Sequence, residues 1–292
     1  MVTINPVEVL LWTFRRNEED VINLYDTLSS LMEISTGANM LNFGYWNDNT
    51  SEPYQAQLNL CKKIGEIGEF ESAKYMLDVG SGFSEPARIW QSKYPGLRIA
   101  CSNINSSQLR FARDLIARQC DSDSHTKTSI DLVNSTSSMI PFARRSFDRV
   151  VALESAQHFR PLAGFVKESR RVLKDKGLLV VAIPIISKSI KPDIFKLGIL
   201  SFTWSSEHYE FDIIKKSVVN NGFDIIETQF IGAEVFAPLA KYYVKNRESL
   251  KRKILQKYPR YVETILFKSM QKMKEVSDTR TIDYLLLKCA AK

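Results

Sequence analysis

The feature that most constrains the fold is the alternation of short apolar runs with amphipathic helical segments between residues 75 and 186. Apolar runs of this length predict strands, and the segments between them have the periodicity of helices. Strands that are buried on both faces and separated by helices usually pair in parallel. The pattern therefore predicts an α/β fold with a mostly parallel sheet and helices on both faces. The five predicted strands are YMLDVG, LRIACSNI, SIDLVNS, FDRVVALES and LLVVAIPI.

Three helices are predicted between these strands. They are PARIWQSKY, with Pro86 in its first turn, SSQLRFARDLIARQC, with serine at its start, and PLAGFVKESRRVLKDKG, which ends at Gly177. Farther along the chain, FDIIKKSVVNNG predicts a helix, and FDIIETQFI and TIDYLLLKCAA predict two more strands. The sheet should therefore contain seven strands.

The flanking regions predict helical additions to this sheet. Residues 1–70 contain two amphipathic stretches separated by the loop-like segment LNFGYWNDNT, and they predict an N-terminal helical cap. Residues 71–292 predict the α/β domain, with a helical lid insert around 187–212 and a helical segment around 236–276. One α/β domain with helical additions fits this pattern better than two independent domains.

The composition is ordinary for a globular protein, with 44% hydrophobic and 25% charged residues in a chain of 292. No apolar run reaches the ~18–20 residues that cross a bilayer, and the first residues lack the pattern of a secretory signal. We therefore expect a cytoplasmic protein. The cysteines are scattered without metal-ligand spacing, which predicts buried free thiols and no metal site. They are Cys61, Cys101, Cys120 and Cys289.

The net charge of +7 raises the question of an anionic partner. Much of the excess lies between Lys241 and Arg260, and a basic stretch is typical of proteins that bind nucleic acid or an anionic membrane surface. However, the cations lie among Tyr, Leu and Ile at helical spacing, which favours a solvated helix face. We expect a small-molecule substrate and no nucleic acid. Peripheral membrane contact and the choice between monomer and homodimer stay open.

The strongest local signal is the segment LDVGSGFSEPAR, residues 77–88, in which a glycine turn connects a strand to a helix. Gly80 and Gly82 allow the backbone to approach a ligand closely, because they lack a Cβ and accept positive φ. The helix that follows offers free N–H groups and the positive end of its dipole. A nicotinamide dinucleotide site requires GxGxxG, but here Glu85 replaces the third glycine and would repel a pyrophosphate. The turn therefore favours a cofactor with an amino-acid tail and no phosphate.

Several segments resemble one family, in the order that the family shows. LDVGSGF resembles the first motif of class I S-adenosylmethionine-dependent methyltransferases. The continuation PAR is similar to their small-molecule branch, which includes sugar and macrolide O-methyltransferases and sterol and tocopherol C-methyltransferases. Further matching segments are GANMLNFGYW, NINSSQLRFAR, MIPFARRSFDRVVALESAQHF, RRVLKDKGLLVVA, NNGFDIIE and YLLLKCA. The resemblance implies a Rossmann-like methyltransferase fold, S-adenosyl-L-methionine as cofactor, S-adenosyl-L-homocysteine as product, and no metal.

The resemblance also implies which residues hold the cofactor. In the family, the glycine turn meets the amino-acid part of the cofactor, the end of the second strand meets the ribose, and the segment after the third strand meets the adenine. The implied residues here are Asp78, Gly80, Ser81, Gly82, Asn103, Ile104, Gln108, Thr136, Ser137, Met139, Leu153, Tyr45 and Trp46. Asn103 replaces an acid, and Thr136-Ser137 replaces an Asp-Ala pair, which predicts weaker binding. Tyr45 and Trp46 would cover the cofactor, but they are equally compatible with a core position.

A hydroxyl acceptor requires a base to take its proton. His158 occupies the position of the family's histidine, and an unperturbed pKa of about 6.5 suits a base at neutral pH. A purely structural role for His158 stays open. His208 is the second candidate for the base, and Glu154 is predicted to line the cofactor beside the reacting groups.

Two departures from the family argue against the assignment of sugar O-methylation more than against the assignment of the fold. Ile183-Pro184 stands where relatives often have an acid, and Asn42 replaces the histidine of the N-terminal motif. The alternative is carbon methylation of an isoprenoid or sterol-like substrate, with Glu154 and the aromatic segment 195–211 stabilising a carbocation. Nucleic-acid methylation is less favoured, because the fourth strand ends in ALES instead of (N/D)PP(Y/F) and no cysteine follows it directly. A non-catalytic cofactor-binding protein, which the departures suggest, is the last alternative.

Overall fold

A computed structural model describes residues 15–122, 129–187, 200 and 207–292 of the protein. Its seven strands form one sheet in the order β3-β2-β1-β4-β5-β7-β6. The strands are β1 Tyr75–Val79, β2 Arg98–Asn103, β3 Ile130–Asn134, β4 Phe147–Leu153, β5 Leu173–Ile186, β6 Phe223–Phe230 and β7 Ile282–Ala291. The described helices are α1 Glu18–Thr36, α2 Pro53–Ile67, α3 Glu85–Lys93, α4 Ser106–Ser122, α5 Leu162–Val172, α6 Phe211–Asn220, α7 Phe236–Lys245, α8 Arg247–Lys257 and α9 Arg260–Asp278.

The strand order creates a switch point beside β1. This strand pairs in parallel with β2 on one side and with β4 on the other. β2 also pairs in parallel with β3, and β4 with β5. The chain runs outward through β2 and β3 and then returns to the opposite side of β1. The carboxyl ends of β1 and β4 are therefore neighbours from which the connections diverge, which is where α/β sheets bind ligands.

The prediction of a seven-stranded, mostly parallel sheet is confirmed. The central strands could be recognised because almost every residue in them is buried, so they appear as continuous apolar runs. Met76, Val150 and Leu179 are completely buried examples from β1, β4 and β5. The three cysteines whose side chains are described, Cys61, Cys101 and Cys289, are free and buried.

The chain forms two compact units. One unit comprises Leu60–Ile183, Asp212–Gln229 and Leu285–Lys292, and contains most of the sheet with α3 to α5. The other comprises Met1–Asn59, Pro184–Phe211 and Phe230–Tyr284, and contains α1, α7, α8 and α9. We call them the sheet unit and the helical unit. The division into a cap of residues 1–70 and a domain of residues 71–292 stays a prediction.

The predicted end of one helix is wrong. We expected the helix before β5 to end at Gly177, but α5 ends at Val172 and β5 begins at the next residue. Strand pairing explains the difference, because Leu173 already pairs with Phe147 and the next regular pair is Leu178 with Arg149. Residues 174–177 form an irregularity within the strand instead of a helical turn.

The start of α4 also differs in its chemistry. A serine was expected to cap this helix, but the side-chain oxygen of Asn105 accepts from the backbone N–H groups of Ser107 (2.9 Å) and Gln108 (3.0 Å). Asparagine is as good an N-cap as serine, so the helix begins where the sequence predicts.

Two further findings concern the predicted lid and membrane contact. The helical insert expected around 187–212 falls mostly on residues 188–199 and 201–206, which lie outside the described residues. Within the described part of the chain, no helix is both long enough and apolar enough to cross a membrane.

A buried arginine organises the end of the sheet unit that is opposite the switch point. Arg149 in β4 is 7% exposed, and its guanidinium donates to the carbonyl oxygens of Gly68, Glu69 and Asp148 and to the hydroxyl of Ser72. One side chain therefore satisfies the turn that leads into β1. Removing it would take a charged donor away from each of these acceptors, among them the buried contact with the Gly68 carbonyl.

We predict that Arg149→Met lowers the free energy of unfolding by about 3 kcal/mol or more, because several buried hydrogen bonds are lost together. Urea unfolding followed by circular dichroism measures this change. The matched control is Arg110→Met, since Arg110 is exposed and, among the described residues, bonds only to the hydroxyls of Ser106 and Ser107 within its own helix. The control should change stability by less than about 0.5 kcal/mol. Equal effects would contradict the role given to Arg149.

Candidate functional site

The turn after β1 has the backbone conformation that glycine permits. Gly80 has φ of 75° and Gly82 has φ of 55°. The N–H groups of Gly80 and Ser81 both donate to the carbonyl of Ser102 in β2, at 2.7 and 3.1 Å. The hydroxyls of Ser81 and Ser84 are 3.0 Å apart and close the turn before α3. The predicted glycine turn is therefore present and tied to the neighbouring strand.

A second contact fixes this turn to the end of β4. The Ser155 hydroxyl donates to the carbonyl of Val79 at 2.6 Å. A Cβ added to Gly80 would lie 2.4 Å from the Cβ of Ser155 and 3.3 Å from the ring of Phe159. The Ser155 side chain therefore packs directly against the backbone of the glycine turn, and Gly80 has no room for a side chain. Ser155 lies in the ALES segment, but no local pattern marks it as a site residue, because its role depends on the contact with β1.

Asp78 is the most unusual group of the site. It is 2% exposed in the middle of the sheet, and no described residue forms a hydrogen bond or ion pair with its carboxylate. Burial raises the pKa of Asp78 from its ordinary value of 3.8 to about 7. A buried carboxylate without a partner is costly, and a cationic or hydrogen-bonding ligand would relieve that cost. The Asp78 carboxylate therefore fits a cofactor with a positively charged amino-acid end.

Asn103, at the end of β2, connects the glycine turn to α4 through two hydrogen bonds. The amide nitrogen of Asn103 donates to the carbonyl of Gly82 (3.2 Å) and to the side-chain oxygen of Gln108 (2.8 Å). The sequence suggested that Asn103 would meet the ribose. In the structure its two donor hydrogens are already used within the protein. The Gln108 nitrogen, by contrast, is buried and has no partner among the described residues. Ile104 follows and is partly buried.

The segment after β3 contributes groups that are partly buried or exposed. The hydroxyls of Thr136 and Ser138 lie 3.2 Å apart, and Ser137 is partly buried. Met139 is 76% exposed, so the rest of the chain does not cover its side chain. The side chain of Asn134 donates to the carbonyls of Asn103 and Ile104, both at 2.8 Å, which joins this segment to the end of β2.

The predicted catalytic groups of the sheet unit follow β4. Leu153 and Glu154 are each 8% exposed, and Glu154 has a positive φ of 49°. This conformation is costly for a residue with a side chain, and it is often found at functional sites. His158 is partly buried at the end of a short 3₁₀ helix, Ala156–His158. Glu154 and His158 therefore follow the same strand, but they are not a pair within one α-helix.

Tyr45, Trp46, Asn42 and His208 belong to the helical unit. Trp46 is 8% exposed and forms an apolar cluster with Ala56 and Leu239, which supports its core position. Tyr45 is partly buried, and Asn42 is buried with its amide donating to the Phe43 carbonyl. Burial, with a smaller effect of Arg16, lowers the pKa of His208 to about 4. Contacts of Tyr45 and Trp46 with a cofactor stay predictions.

The sheet unit therefore brings together the cofactor residues predicted from the three adjacent strands β2, β1 and β4. Among the described residues, no group of His, Cys, Asp and Glu side chains is arranged to hold a metal. Glu85, whose charge argued against a pyrophosphate, pairs with Arg88 one turn later. No described residue pairs with the Asp78 carboxylate in this way. Its negative charge is therefore a stronger argument against a pyrophosphate than that of Glu85.

Comparison with known proteins agrees with this geometry. Residues 77–181 match the family model described as a methyltransferase domain. Erythromycin 3''-O-methyltransferase from Saccharopolyspora erythraea is 26% identical over 171 residues, which cover 59% of this chain and 54% of that relative. The chain carries a methyltransferase domain of the S-adenosylmethionine-dependent class. Its resemblance to this family, inferred from the sequence, is confirmed.

A second relative and one solved structure are also similar to this chain. Sterol 24-C-methyltransferase ERG6B from Gibberella zeae is 35% identical over 106 residues, 36% of this chain and 26% of that relative. The alignments thus span about half or less of these two relatives. The solved structure of the cyclopropane synthase MmaA2 from Mycobacterium tuberculosis has a TM-score of 0.80 and 12% identity, and the match covers 93% of this chain and 97% of that one. A similarity at this low identity shows the Rossmann-like fold and nothing about the reaction, because one fold can support many functions.

We predict that Gly80→Ala lowers the free energy of unfolding by about 2 kcal/mol or more, through positive φ and the clash with Ser155. Gly96→Ala is the matched control, since a Cβ there meets nothing within 4 Å. It should change stability by less than about 1 kcal/mol. Thermal unfolding of both variants measures the difference. A Gly80 variant as stable as the control would contradict the close contact of the two loops.

A second prediction concerns the pH dependence of the stability of the cofactor-free protein. The unfolded chain loses the Asp78 proton near pH 3.8, whereas the folded chain keeps it up to about pH 7. Between these values the folded state binds more protons, so this group lowers stability as pH rises and has a constant effect above about pH 7. Asp78→Asn should remove this loss. Its stability gain over the wild type should be about 3 kcal/mol larger at about pH 8 than at about pH 5.

Urea unfolding of the wild type and of Asp78→Asn at both pH values checks this prediction. A stability difference that does not change with pH would mean that Asp78 is not protonated in the folded protein near pH 5.

Proposed function

We propose that the protein transfers a methyl group from S-adenosylmethionine to a hydroxyl oxygen of a small natural-product-like or glycosylated metabolite. The observation that carries the cofactor assignment is the buried Asp78 carboxylate, two residues before Gly80 and without a partner among the described residues. The positively charged amino-acid end of this cofactor would supply that partner. Transfer to oxygen is supported by the similarity to erythromycin 3''-O-methyltransferase.

The residues that would hold the cofactor come from three strand ends. The backbone of Gly80–Gly82 and the Asp78 carboxylate would receive its amino-acid part, and the free Gln108 nitrogen would donate to the nucleoside. Thr136 and Ser137 offer hydroxyls for the adenine, as the family resemblance implies. When bound, S-adenosylmethionine supplies a methyl group that its positively charged sulfur already makes electrophilic. The protein then has to align the acceptor and exclude water.

His158 is the proposed general base for the hydroxyl proton. It follows β4 at the switch point, in the same loop as Glu154 and three residues after Ser155, which anchors the loop to β1. His208 is a weaker base, because a pKa of about 4 leaves its imidazole neutral but with little affinity for a proton at neutral pH. The low pKa of His208 therefore argues against it as the base and leaves His158 as the proposed one.

Carbon methylation is the second candidate function, and Glu154 is the observation that favours it. This carboxyl group is buried immediately after β4 on a strained backbone. A carboxylate in an apolar pocket stabilises the carbocation that forms when a methyl group adds to an alkene. The similarity to sterol 24-C-methyltransferase ERG6B supports this alternative.

The test is incubation of the purified protein with S-adenosylmethionine and a panel of hydroxylated polyketides, glycosides and isoprenoids. Mass spectrometry detects a product that has gained one methyl group, and NMR shows whether that group is bound to oxygen or carbon. A methoxy product supports the leading proposal, and a carbon-bound methyl group supports the second. Cofactor binding without methyl transfer to any acceptor would contradict both.

Once an acceptor is known, two matched histidine variants test the base. His158→Gln should lower kcat by about 10²- to 10⁴-fold, because a general base contributes a factor of this size. Its affinity for S-adenosylmethionine should change little. His208→Gln should lower kcat by less than about tenfold, since its low pKa makes it a poor base. A His158→Gln enzyme with wild-type kcat would exclude His158 as the base.

A further inference from the structure

The positive charge of this chain is concentrated in one part of the helical unit. Between Arg247 and Arg260 there are six cationic residues and one acidic residue, which give a net charge of +5. The whole chain has a net charge of +7. We call α8 together with the first half of α9, residues 247–268, the basic segment. Its charge is not needed for the methyl-transfer site, whose proposed residues lie in the sheet unit.

Most of these cations are not neutralised by neighbouring acids. Arg247 forms an ion pair with the buried carboxylate of Glu263 at 2.8 Å, which fixes α8 to α9. In contrast, Lys251, Arg252 and Lys253 form no ion pair with any described residue, and the last two are exposed. Consecutive unpaired cations repel each other and favour an anionic partner.

Apolar side chains are exposed among these cations. Leu255 is 36% exposed and lies one helical turn from Lys251 and Arg252, at positions i+4 and i+3. On α9, Tyr261 is 44% and Ile265 is 40% exposed, also one turn apart. Each helix nevertheless buries its own apolar side, through Leu250 and Ile254 in α8. The exposed apolar residues are therefore additional to those that the fold requires.

This combination decides between the two kinds of anionic partner. Nucleic acid is bound through cations and stacking aromatic rings, and exposed leucine and isoleucine add little to phosphate contacts. A bilayer surface uses both groups, because cations meet anionic headgroups while apolar side chains enter the headgroup–acyl boundary. We propose that the basic segment binds the surface of anionic lipid membranes. This proposal goes beyond methyl transfer and does not depend on it.

The experiment is co-sedimentation of the full-length protein with vesicles. One set is phosphatidylcholine alone, and the other contains about one-third phosphatidylserine, which provides a negative surface potential. We expect binding to the anionic vesicles only, and we expect it to weaken as salt is raised, because surface electrostatics are screened.

Two variants locate the binding on α8. Arg252→Gln/Lys253→Gln should weaken binding to anionic vesicles by at least about tenfold, since each surface cation contributes about fivefold. The matched control is Lys215→Gln/Lys216→Gln on α6, which also removes two exposed cations beside exposed apolar residues, Ile213 and Val219. It should bind as the wild type does. Leu255→Ser should weaken binding about threefold or more, with the variant still fully folded by circular dichroism at the temperature of the assay.

Three results would overturn the proposal. The first is no sedimentation of the wild type with anionic vesicles. The second is an equal loss in the α6 control, which would mean that total charge and not the basic segment determines binding. The third is that a duplex DNA probe binds with loss in Arg252→Gln/Lys253→Gln while vesicles do not bind, which would assign the segment to nucleic acid.

Discussion

The contact on which the site depends is the close approach of Gly80 to Ser155. β1 and β4 are adjacent and parallel, so their carboxyl ends lie side by side while their connections diverge. The Ser155 hydroxyl bonds to the Val79 carbonyl, and no Cβ fits between the two loops. This contact sets the position of both the cofactor turn and the loop with Glu154 and His158. The contact between Ser155 and the glycine turn thus positions both the proposed cofactor site and the proposed base.

Asp78 lowers the stability of the cofactor-free protein at the place where we propose that the cofactor binds. An apolar residue at this position in β1 would suit the sheet, because both neighbouring strands are buried there. The carboxyl group instead has no hydrogen-bond or ion-pair partner in the part of the chain that the structure describes, and burial raises its pKa. Such a group destabilises the ionised, cofactor-free protein and stabilises a complex with a cation. Residues that weaken the free protein in this way are typical of functional sites.

Much of the fold could be predicted from the sequence, because buried parallel strands are continuous apolar runs between helices. The end of α5 could not, since the pairing of Leu173 with Phe147 is a long-range contact that overrides the local preference for a helix. The glycine turn was predicted from its motif. In contrast, the missing partner of Asp78 and the internal bonds of Asn103 depend on which distant side chains come near, and no local pattern records that. The packing of Trp46 against Leu239 has the same origin.

The central claim is that the Asp78 carboxylate is the receptor for the cationic end of S-adenosylmethionine. Isothermal titration calorimetry at about pH 7, in two buffers with different ionisation enthalpies, tests it most directly. The wild type should bind with the release of about half a proton per cofactor, because a nearby cation lowers the raised pKa of Asp78. Asp78→Asn should release no proton and bind at least about tenfold more weakly. Binding by the variant with unchanged affinity, or no binding by the wild type, would contradict the account.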